Sequence, residues 1–296
     1  MKAPLYSVCI CNYNMKDYLE TSLKSVLEQL DDRYEVLVID DGSNDGSLEI
    51  LTDLEKKYQI MRFIPLLRDS RRKLGETRNI SVKAARGKYV LLHIDSDDIW
   101  GPHIDSFVRV FHEIEKRKYL DEFMLSGLQI QMANRNLILK QPYQNIYYTE
   151  DRILWSQLSV IDKLICIDHD NFRKRITLKN NKKKLIKVLK SQFSQMLVSF
   201  SYSSNIFMTI NQYLHKIFFL KKDSFSIRIL KAIFLLPTSI MGGLFLRKEF
   251  LNQYIYTYRK LNTLDLKSVE ETTKNKFGLF KLNSKERDIY KMDKLK

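Results

Sequence analysis

The sequence predicts an α/β protein: a Rossmann-like, mostly parallel sheet flanked by helices, followed by a basic and mainly helical extension. Three observations predict the sheet. Short apolar runs alternate with amphipathic stretches through the first hundred residues. Two of the runs, Tyr34–Ile39 (YEVLVI) and Tyr89–Ile94 (YVLLHI), are apolar almost throughout, as strands covered on both faces are. Three of the runs end in polar loops: CNYN at 11–14, DDGSNDGS at 40–47 and DSDD at 95–98. Ligands bind such sheets beyond the carboxyl ends of the strands, so three polar ends converging there outweigh any one of them.

The elements follow in order. Leu5–Cys11 reads as a strand. Asp17–Leu30 reads as a helix, with Leu19, Leu23, Val26, Leu27 and Leu30 on one face. Tyr34–Ile39 is the second strand, Ser47–Tyr58 the second helix and Met61–Ile64 a short third strand. Gly75–Ala85 is a third helix stopped by Gly87, and Tyr89–Ile94 the fourth strand. A βαβαβαβ order implies parallel strands with right-handed crossovers. Beyond it, a helix runs from Pro102 to about Lys118. Phe123–Met132 reads as one long strand, with Leu137–Lys140 as a hairpin partner across Asn134-Arg135-Asn136. A short helix starts near Thr149, and Leu164–Ile167 is a further strand. The core is expected to end near residue 170.

Charge divides the chain at about the same place. The 296 residues carry 50 Lys and Arg against 35 Asp and Glu, a formal charge of +15. Residues 1–160 hold 22 basic and 24 acidic side chains, and residues 161–296 hold 28 and 11. The excess is confined to the second part, which excludes a uniformly basic nucleic-acid binder. A hydrophobic content of 44% argues against global disorder. Cys9, Cys11 and Cys166 are too few and too scattered for a disulfide framework or a zinc site, and they read as packing residues. The N-terminal stretch MKAPLYSVCICNYN lacks the pattern of a signal peptide, so the expected location is the cytoplasmic side.

Asp95-Ser96-Asp97-Asp98 puts three carboxylates at one strand end. Packed carboxylates repel, and a divalent cation with oxygen ligands removes the repulsion. A solvated acidic loop before a helix is the alternative. Asp40-Asp41-Gly42 and the loop after it combine acids with glycines that allow tight turns; Asp45 or Ser47 would cap the next helix. Neither GxGxxG nor GxxxxGK[ST] occurs, which disfavours a dinucleotide fold and a P-loop.

The runs SVCICNYN, VLVIDDGSNDGS and GETRNISVKAARGKYVLLHIDSDD, in that order, resemble the GT-A family 2 glycosyltransferases, the inverting nucleotide-sugar enzymes. The resemblance covers roughly residues 5–170. It implies a donor-binding part over about 1–101 and an acceptor-binding part over 102–170. By this resemblance Asn12, Tyr13 and Asn14 line the nucleotide and Asp41 contacts the base. Arg78, in the Gly75-to-Asn79 stretch, faces the nucleotide and diphosphate, with Lys73 helping. Asp95, Ser96 and Asp97 match the DxD motif that holds the sugar nucleotide, with Asp97, Asp95 and the adjoining Asp98 as ligands of Mn2+ or Mg2+. Thr149-Glu150-Asp151 matches the ED motif, with Asp151 as the general base and Glu150 in support. Trp100 borders the sugar or acceptor pocket or else packs under a helix. Trp155, one turn after Asp151, is either an acceptor platform or core. The expected donor is a nucleoside-diphosphate sugar, UDP-linked by preference, and the acceptor is a glycan or a lipid-phosphate-linked glycan.

Residues 171–296 have a different character. Phe172–Lys190 holds nine basic residues and no acidic one. Ala232–Leu246 is apolar but only 15 residues long and interrupted by Pro237 and Gly242-Gly243, so it reads as an interfacial, re-entrant or buried helix rather than a span. Together these suggest a peripheral contact with an anionic membrane surface, a homo-oligomer contact, or both. Two rival functions remain at this point: a nucleotidyltransferase, and a non-enzymatic basic protein binding membrane or nucleic acid. The first lacks a glycine-rich basic loop near the first strand; the second leaves the acidic motifs without a role.

Overall fold

A computed structural model of the chain describes residues 3–118, 121–176, 181–203, 205–219, 225–246, 258–268, 270 and 282–290. The expected elements of the first hundred residues are present as β1 (Tyr6–Asn12), α1 (Lys16–Leu27), β2 (Tyr34–Asp40), α2 (Ser47–Lys57), β3 (Met61–Pro65), α3 (Leu74–Ala84) and β4 (Tyr89–Leu92). They are followed by β5 (Asp98–Trp100), α4 (Ile104–Lys118), β6 (Met124–Ser126), β7 (Gln131–Asn134), α5 (Arg135–Lys140), α6 (Glu150–Val160), β8 (Leu164–Cys166) and β9 (Arg173–Arg175). The main sheet has seven strands in the order β3-β2-β1-β4-β7-β6-β8. β3, β2, β1 and β4 are parallel neighbours, β7 runs antiparallel to both β4 and β6, and β8 is parallel to β6. β5 and β9 form a separate antiparallel ribbon.

The mostly parallel strands are buried on both faces, as their unbroken apolar runs require. Val8, Ile10, Val36, Val38 and Leu91 share one core with Leu19, Leu23 and Val26 of α1 and with Phe107 and Phe111 of α4. Phe111 stacks flat on Phe123 at 4.4 Å between centroids. Burial of each such aliphatic side chain is worth about 1.5–3 kcal/mol. Cys9 lies in this interior, where burial pushes its thiol up to about 12, consistent with a packing role.

The structure corrects the expected layout after residue 120. Phe123–Met132 is not one strand. β6 stops at Ser126, and the chain turns back into β7, with the Gly127 amide donating to the Ile130 carbonyl at 2.9 Å. A side chain at Gly127 would collide with the His169 ring, whose Nε2 accepts the Leu128 amide at 2.7 Å. Leu137–Lys140 is not a strand either but the body of α5. Arg135 donates to the carbonyls of Val82 and Lys83 at 2.9 and 2.7 Å, which ties the start of this helix to the end of α3. β4 ends two residues early because His93 adopts φ 66°.

Two compact units emerge, interleaved along the chain. One comprises Met1–Asn145, Lys163–Thr177 and Asn262–Lys296; the other comprises Ile146–Asp162 and Leu178–Leu261. In the first unit a short C-terminal helix, Ser284–Ile289, carries a capping box between Asn283 and Glu286. Glu286 pairs with Arg109 and accepts from Ser106 at 3.1 Å, so this helix is fastened to α4.

The second unit contains α6, α7 (Asn181–Tyr202), α8 (Ile206–Phe219), α9 (Phe225–Leu230), α10 (Leu236–Phe245) and α11 (Tyr258–Asn262). Met196, Phe200, Tyr213, Ile217 and Leu236 form its core. Polar side chains pair inside the bundle: Ser199 meets the Tyr213 hydroxyl at 2.8 Å and Ser203 meets Thr209 at 2.6 Å. Pro237 and Gly242-Gly243 do not interrupt the apolar segment. A π-helical turn, Lys231–Leu235, joins α9 to α10, and Pro237 falls in the first turn of α10. There its missing N–H is tolerated. A Cβ at Gly243 would lie 2.4 Å from the Phe200 Cβ, so the glycines mark the close approach of α10 to α7. The resulting helix Ile227–Phe245 is 19 residues, long and apolar enough to cross a membrane by length and composition, and only 22% of that window is buried. Part of the basic run, residues 177–180, and much of the lysine-rich end, residues 271–281 and 291–296, lie outside the described residues.

One buried carboxylate ties the edge of the parallel sheet together. Glu35 on β2 accepts from Ser7 of β1 at 2.5 Å, from Arg62 of β3 at 2.9 Å and from the Arg86 amide at 2.6 Å. Glu35→Ala leaves three donors unmatched and is expected to lower unfolding stability by about 2–4 kcal/mol, read as a shift of the urea midpoint at unchanged slope.

Candidate active site

The polar ends of β1, β2 and β4 lie at the same edge of the first unit's sheet. At the end of β2 the two aspartates have different roles. Asp40 is fully buried and organises the turn: it accepts from the amides of Gly42 and Ser43 at 3.1 and 2.8 Å, from the Ser43 hydroxyl at 2.6 Å and from Asn12 Nδ2 at 2.8 Å. Asn12 is thereby fixed beside β2, and its buried Oδ1 has no hydrogen-bond partner among the described residues. Asn14, at φ 52°, accepts the Asn44 amide at 3.0 Å and so links the two loops. Gly42 has φ 80°, and a Cβ there would lie 2.7 Å from the Arg68 amide nitrogen. Only glycine fits both constraints.

Asp41 points away from that hub and carries two guanidinium partners, Arg68 and Arg72, the latter at 2.5 Å. The Arg68 guanidinium also lies 4.4 Å from the ring centroid of Tyr13, which is half-exposed. An anion, a pair of arginines and an aromatic face therefore adjoin at one surface. Lys73 precedes α3, where its amide donates to Asn145 at 2.8 Å and its ammonium to the Ser70 carbonyl at 2.5 Å.

Beyond β4, Asp95, Asp97 and Asp98 each present a carboxylate oxygen such that all three atoms lie within 4.8 Å of one another. Asp95 and Asp97 are half-buried, and the Asp98 side chain is 0% exposed. Ser96 turns inward and donates to the Cys11 carbonyl at 3.4 Å, which ties the acidic turn to the end of β1. Arg78 reaches from α3 to 4.0 Å of Asp95 and lies over Tyr143 at 5.7 Å.

Two further arginines come from β9. Register pairs Trp100 with Arg173 and Asp98 with Arg175. Arg173 donates to Asp95 at 3.0 Å and to Asp98 at 2.5 Å; Arg175 lies 3.6 and 3.5 Å from the same two carboxylates. Burial works against the charged form of Asp95, but the charges of Arg78, His93 and Arg173 and the hydrogen bond from Arg173 outweigh it, and its pKa falls below the ordinary value. For Asp98 burial prevails, reinforced by the Asp95 charge against the pull of Arg173, and its pKa rises.

An all-oxygen set of three carboxylates suits a hard divalent cation of the Mg2+ or Mn2+ type, and three anions this close call for positive charge. The residues present fit such an ion.

The ED residues lie in the second unit. Glu150 is buried, Asp151 is half-buried and accepts the Arg152 amide at 2.7 Å, and Thr149 before them adopts φ 74°. Trp155 is buried against Tyr258, with ring centroids 5.2 Å apart. In the first unit Trp100 is also buried, joins the main core and lies 5.6 Å from the Arg173 guanidinium.

Sequence reasoning did not find Arg68, Arg72, Arg173 or Arg175. Arg68 and Arg72 lie in a loop with no motif of its own. Arg173 and Arg175 open a basic run that reads as a membrane or oligomer contact, and only the β5–β9 pairing reveals their partners.

The family model described as "Glycosyl transferase family 2" matches residues 7–157, just over half of the chain. The chain belongs to glycosyl transferase family 2. Within the family, the poly(ribitol-phosphate) beta-glucosyltransferase of Bacillus spizizenii is 37% identical over 97 residues, 32% of this chain and 15% of that protein. The cholesterol galactosyltransferase of Borreliella burgdorferi is 26% identical over 187 residues, 59% of this chain and 49% of that protein. The chain covers between 14% and 49% of the length of the curated relatives it matches. Among solved structures, the mannosyltransferase PcManGT of Pyrobaculum calidifontis in complex with GDP-Man and Mn2+ superposes with a TM-score of 0.53 at 12% identity, over 83% of this chain and 85% of that one. That likeness establishes the shared fold.

Asp98 and Asp97 are expected to separate structural from ligand-binding roles. Asp98→Ala strips Arg173 of its closest partner and is expected to cost about 2–3 kcal/mol of stability, whereas Asp97→Ala costs less than about 1 kcal/mol. Urea unfolding of the two variants measures the difference.

Proposed function

We propose that the chain is a divalent-metal-dependent, inverting glycosyltransferase that moves a sugar from a nucleoside-diphosphate sugar to a hydroxyl of a glycan or lipid-linked acceptor. The observation that carries the reading is the carboxylate cluster at the end of β4, flanked by Arg78 and set in the family's matched region. In this reading Asn12, Tyr13 and Asn14 border the nucleoside, and Asp41 with Arg68 and Arg72 faces the base. A carboxylate can accept the N–H of a uracil ring, which favours a UDP-sugar. Arg78 supports the diphosphate, and Asp95 and Asp97, with Asp98 behind them, hold the metal. A bound Mn2+ or Mg2+ supplies positive charge for the departing diphosphate. Asp151, with Glu150 in support, takes the proton of the acceptor hydroxyl as that oxygen attacks the anomeric carbon from the face opposite the leaving group. Attack from that face inverts the anomeric centre. Trp155 and Trp100, both buried, serve in packing.

The division of labour follows the two units: the first, which includes β9, binds the donor, and the helices α7 to α10 of the second attach the enzyme to the place where the acceptor is held. The second unit supports this reading. One face of the α9–α10 helix is closed against α7, while Phe219, Phe225, Phe234 and Phe245 are each more than 60% exposed. A helix glued on one side and apolar on the other suits an interface more than a bilayer centre, and the basic composition of this half favours anionic headgroups. The proposed location is the cytoplasmic side of a membrane. Self-association through the same face is the alternative occupant, and nucleic acid is not an expected partner.

Incubating the protein with Mn2+ or Mg2+ and a panel of nucleotide sugars, with and without lipid-phosphate acceptors, tests the activity. Nucleoside diphosphate should appear with one donor class; pyrophosphate would instead indicate nucleotidyl transfer. Asp151→Asn should lower kcat by about 10²- to 10⁴-fold while UDP affinity stays unchanged.

Vesicle flotation tests the location. The protein should float with phosphatidylglycerol vesicles and stay behind with neutral ones, and Phe234→Asp with Phe245→Asp should abolish flotation.

A further inference from the structure

The first arginines of the basic stretch are strapped onto the acidic cluster. β9 is held there by more than its two charges. The Gly101 amide donates to the Phe172 carbonyl at 2.7 Å, and the Ile176 amide to the Asp97 carbonyl at 3.1 Å. Behind the ribbon, Phe172 stacks on His169 at 4.0 Å and meets Tyr290 edge-on at 6.0 Å. The Asp170 amide donates to the Ile289 carbonyl at 2.8 Å. The C-terminal helix, itself fastened to α4 through Glu286 and Arg109, thus backs the strand that delivers Arg173.

That placement creates a conflict over charge. The Arg173 side chain is only 17% exposed; it shares Asp95 Oδ2 with Arg175, and the two arginines take the two different oxygens of Asp98. The same carboxylates are the ones a divalent cation needs. Guanidinium and dication cannot both sit on these oxygens without strong like-charge repulsion. A nucleotide diphosphate resolves the conflict, because it brings anionic oxygens to the cation and offers the guanidinium fork a geometrically matched acceptor.

We propose that Arg173, with Arg175 beside it, is a diphosphate-binding residue of the donor site. It holds Asp95 and Asp98 while the donor is absent and transfers its hydrogen bonds to the diphosphate when the cation takes the carboxylates. This rests on the reading of the cluster as the metal–diphosphate site. The consequence is that cation and nucleotide bind cooperatively, since each removes an obstacle to the other. Arg173 is then what discourages the cation from occupying the cluster without a nucleotide.

Calorimetric titration of the full chain tests this without any turnover. Mn2+ is titrated into wild type, Arg173→Gln and Arg173→Lys, each with and without UDP, and UDP is titrated at saturating Mn2+. Arg173→Gln should bind Mn2+ alone several-fold more tightly than wild type, yet bind UDP at saturating Mn2+ about tenfold more weakly, a size typical of a lost charged hydrogen bond. Arg173→Lys should recover part of the UDP affinity. Arg175→Gln, whose side chain is 60% exposed in the wild type, should show the same two signs with smaller size and guards against a folding defect in the first variant. Opposite signs are the signature: a residue that only supports the fold would weaken both ligands together. Parallel weakening, or no change in either affinity, overturns the proposal. Wild type that binds neither Mn2+ nor UDP overturns the donor-site reading itself, a distinguishable result.

Discussion

Three carboxylates held within 4.8 Å of one another at the end of a buried strand are the constraint around which the first unit is arranged. Left alone they would repel. The chain answers with three arginines from two separate elements: Arg78 comes from α3, and Arg173 and Arg175 come from a strand nearly eighty residues downstream. Each of these needs its own support. The polar tip of the Asn79 side chain and the Tyr143 ring flank Arg78's helix and loop, the Asn79 amide donating to the Tyr143 carbonyl at 2.9 Å. β9 is supported by β5 on one side and by the aromatic group of Phe172, His169 and Tyr290 on the other. The C-terminal helix, far off in sequence, thereby becomes part of the framework of the site.

The same logic operates at the end of β2 with the roles divided between neighbours. Asp40 spends its whole carboxylate on the turn, which leaves Asp41 oriented toward Arg68, Arg72 and the half-exposed Tyr13. One aspartate builds the loop and the other pairs with two arginines. Adjacent acids therefore need not be a redundant pair, because successive side chains at a strand end point to opposite faces.

What was legible in the sequence was local. β1 to β4 and α1 to α3 follow from apolar periodicity, and the three polar strand ends follow from where that periodicity stops. The candidate residues proposed from sequence in the first unit rest on the same signal, because each sits directly after a strand or early in a helix. Long-range effects were not legible. Leu137–Lys140 has a strand-like composition, yet Arg135 anchors it to α3 and it closes as a helix. Phe123–Met132 is uniformly apolar at its ends, yet the packing of Gly127 against His169 forces a turn. Pro237 looked like a break, and a π-helical turn absorbs it. Arg173 carries no local mark at all: its neighbours are basic, and its partners are seventy-five and seventy-eight residues away.

Asp95, Asp97 and Asp98 would hold a divalent cation beside a nucleotide diphosphate. Crystals grown with Mn2+ and UDP test it most directly, through the anomalous scattering of manganese. One strong peak is expected within about 2.2 Å of an Asp97 carboxylate oxygen and of a diphosphate oxygen. Manganese bound elsewhere, or UDP seated at the β1 and β2 loops with its diphosphate turned away from Asp97, would contradict it.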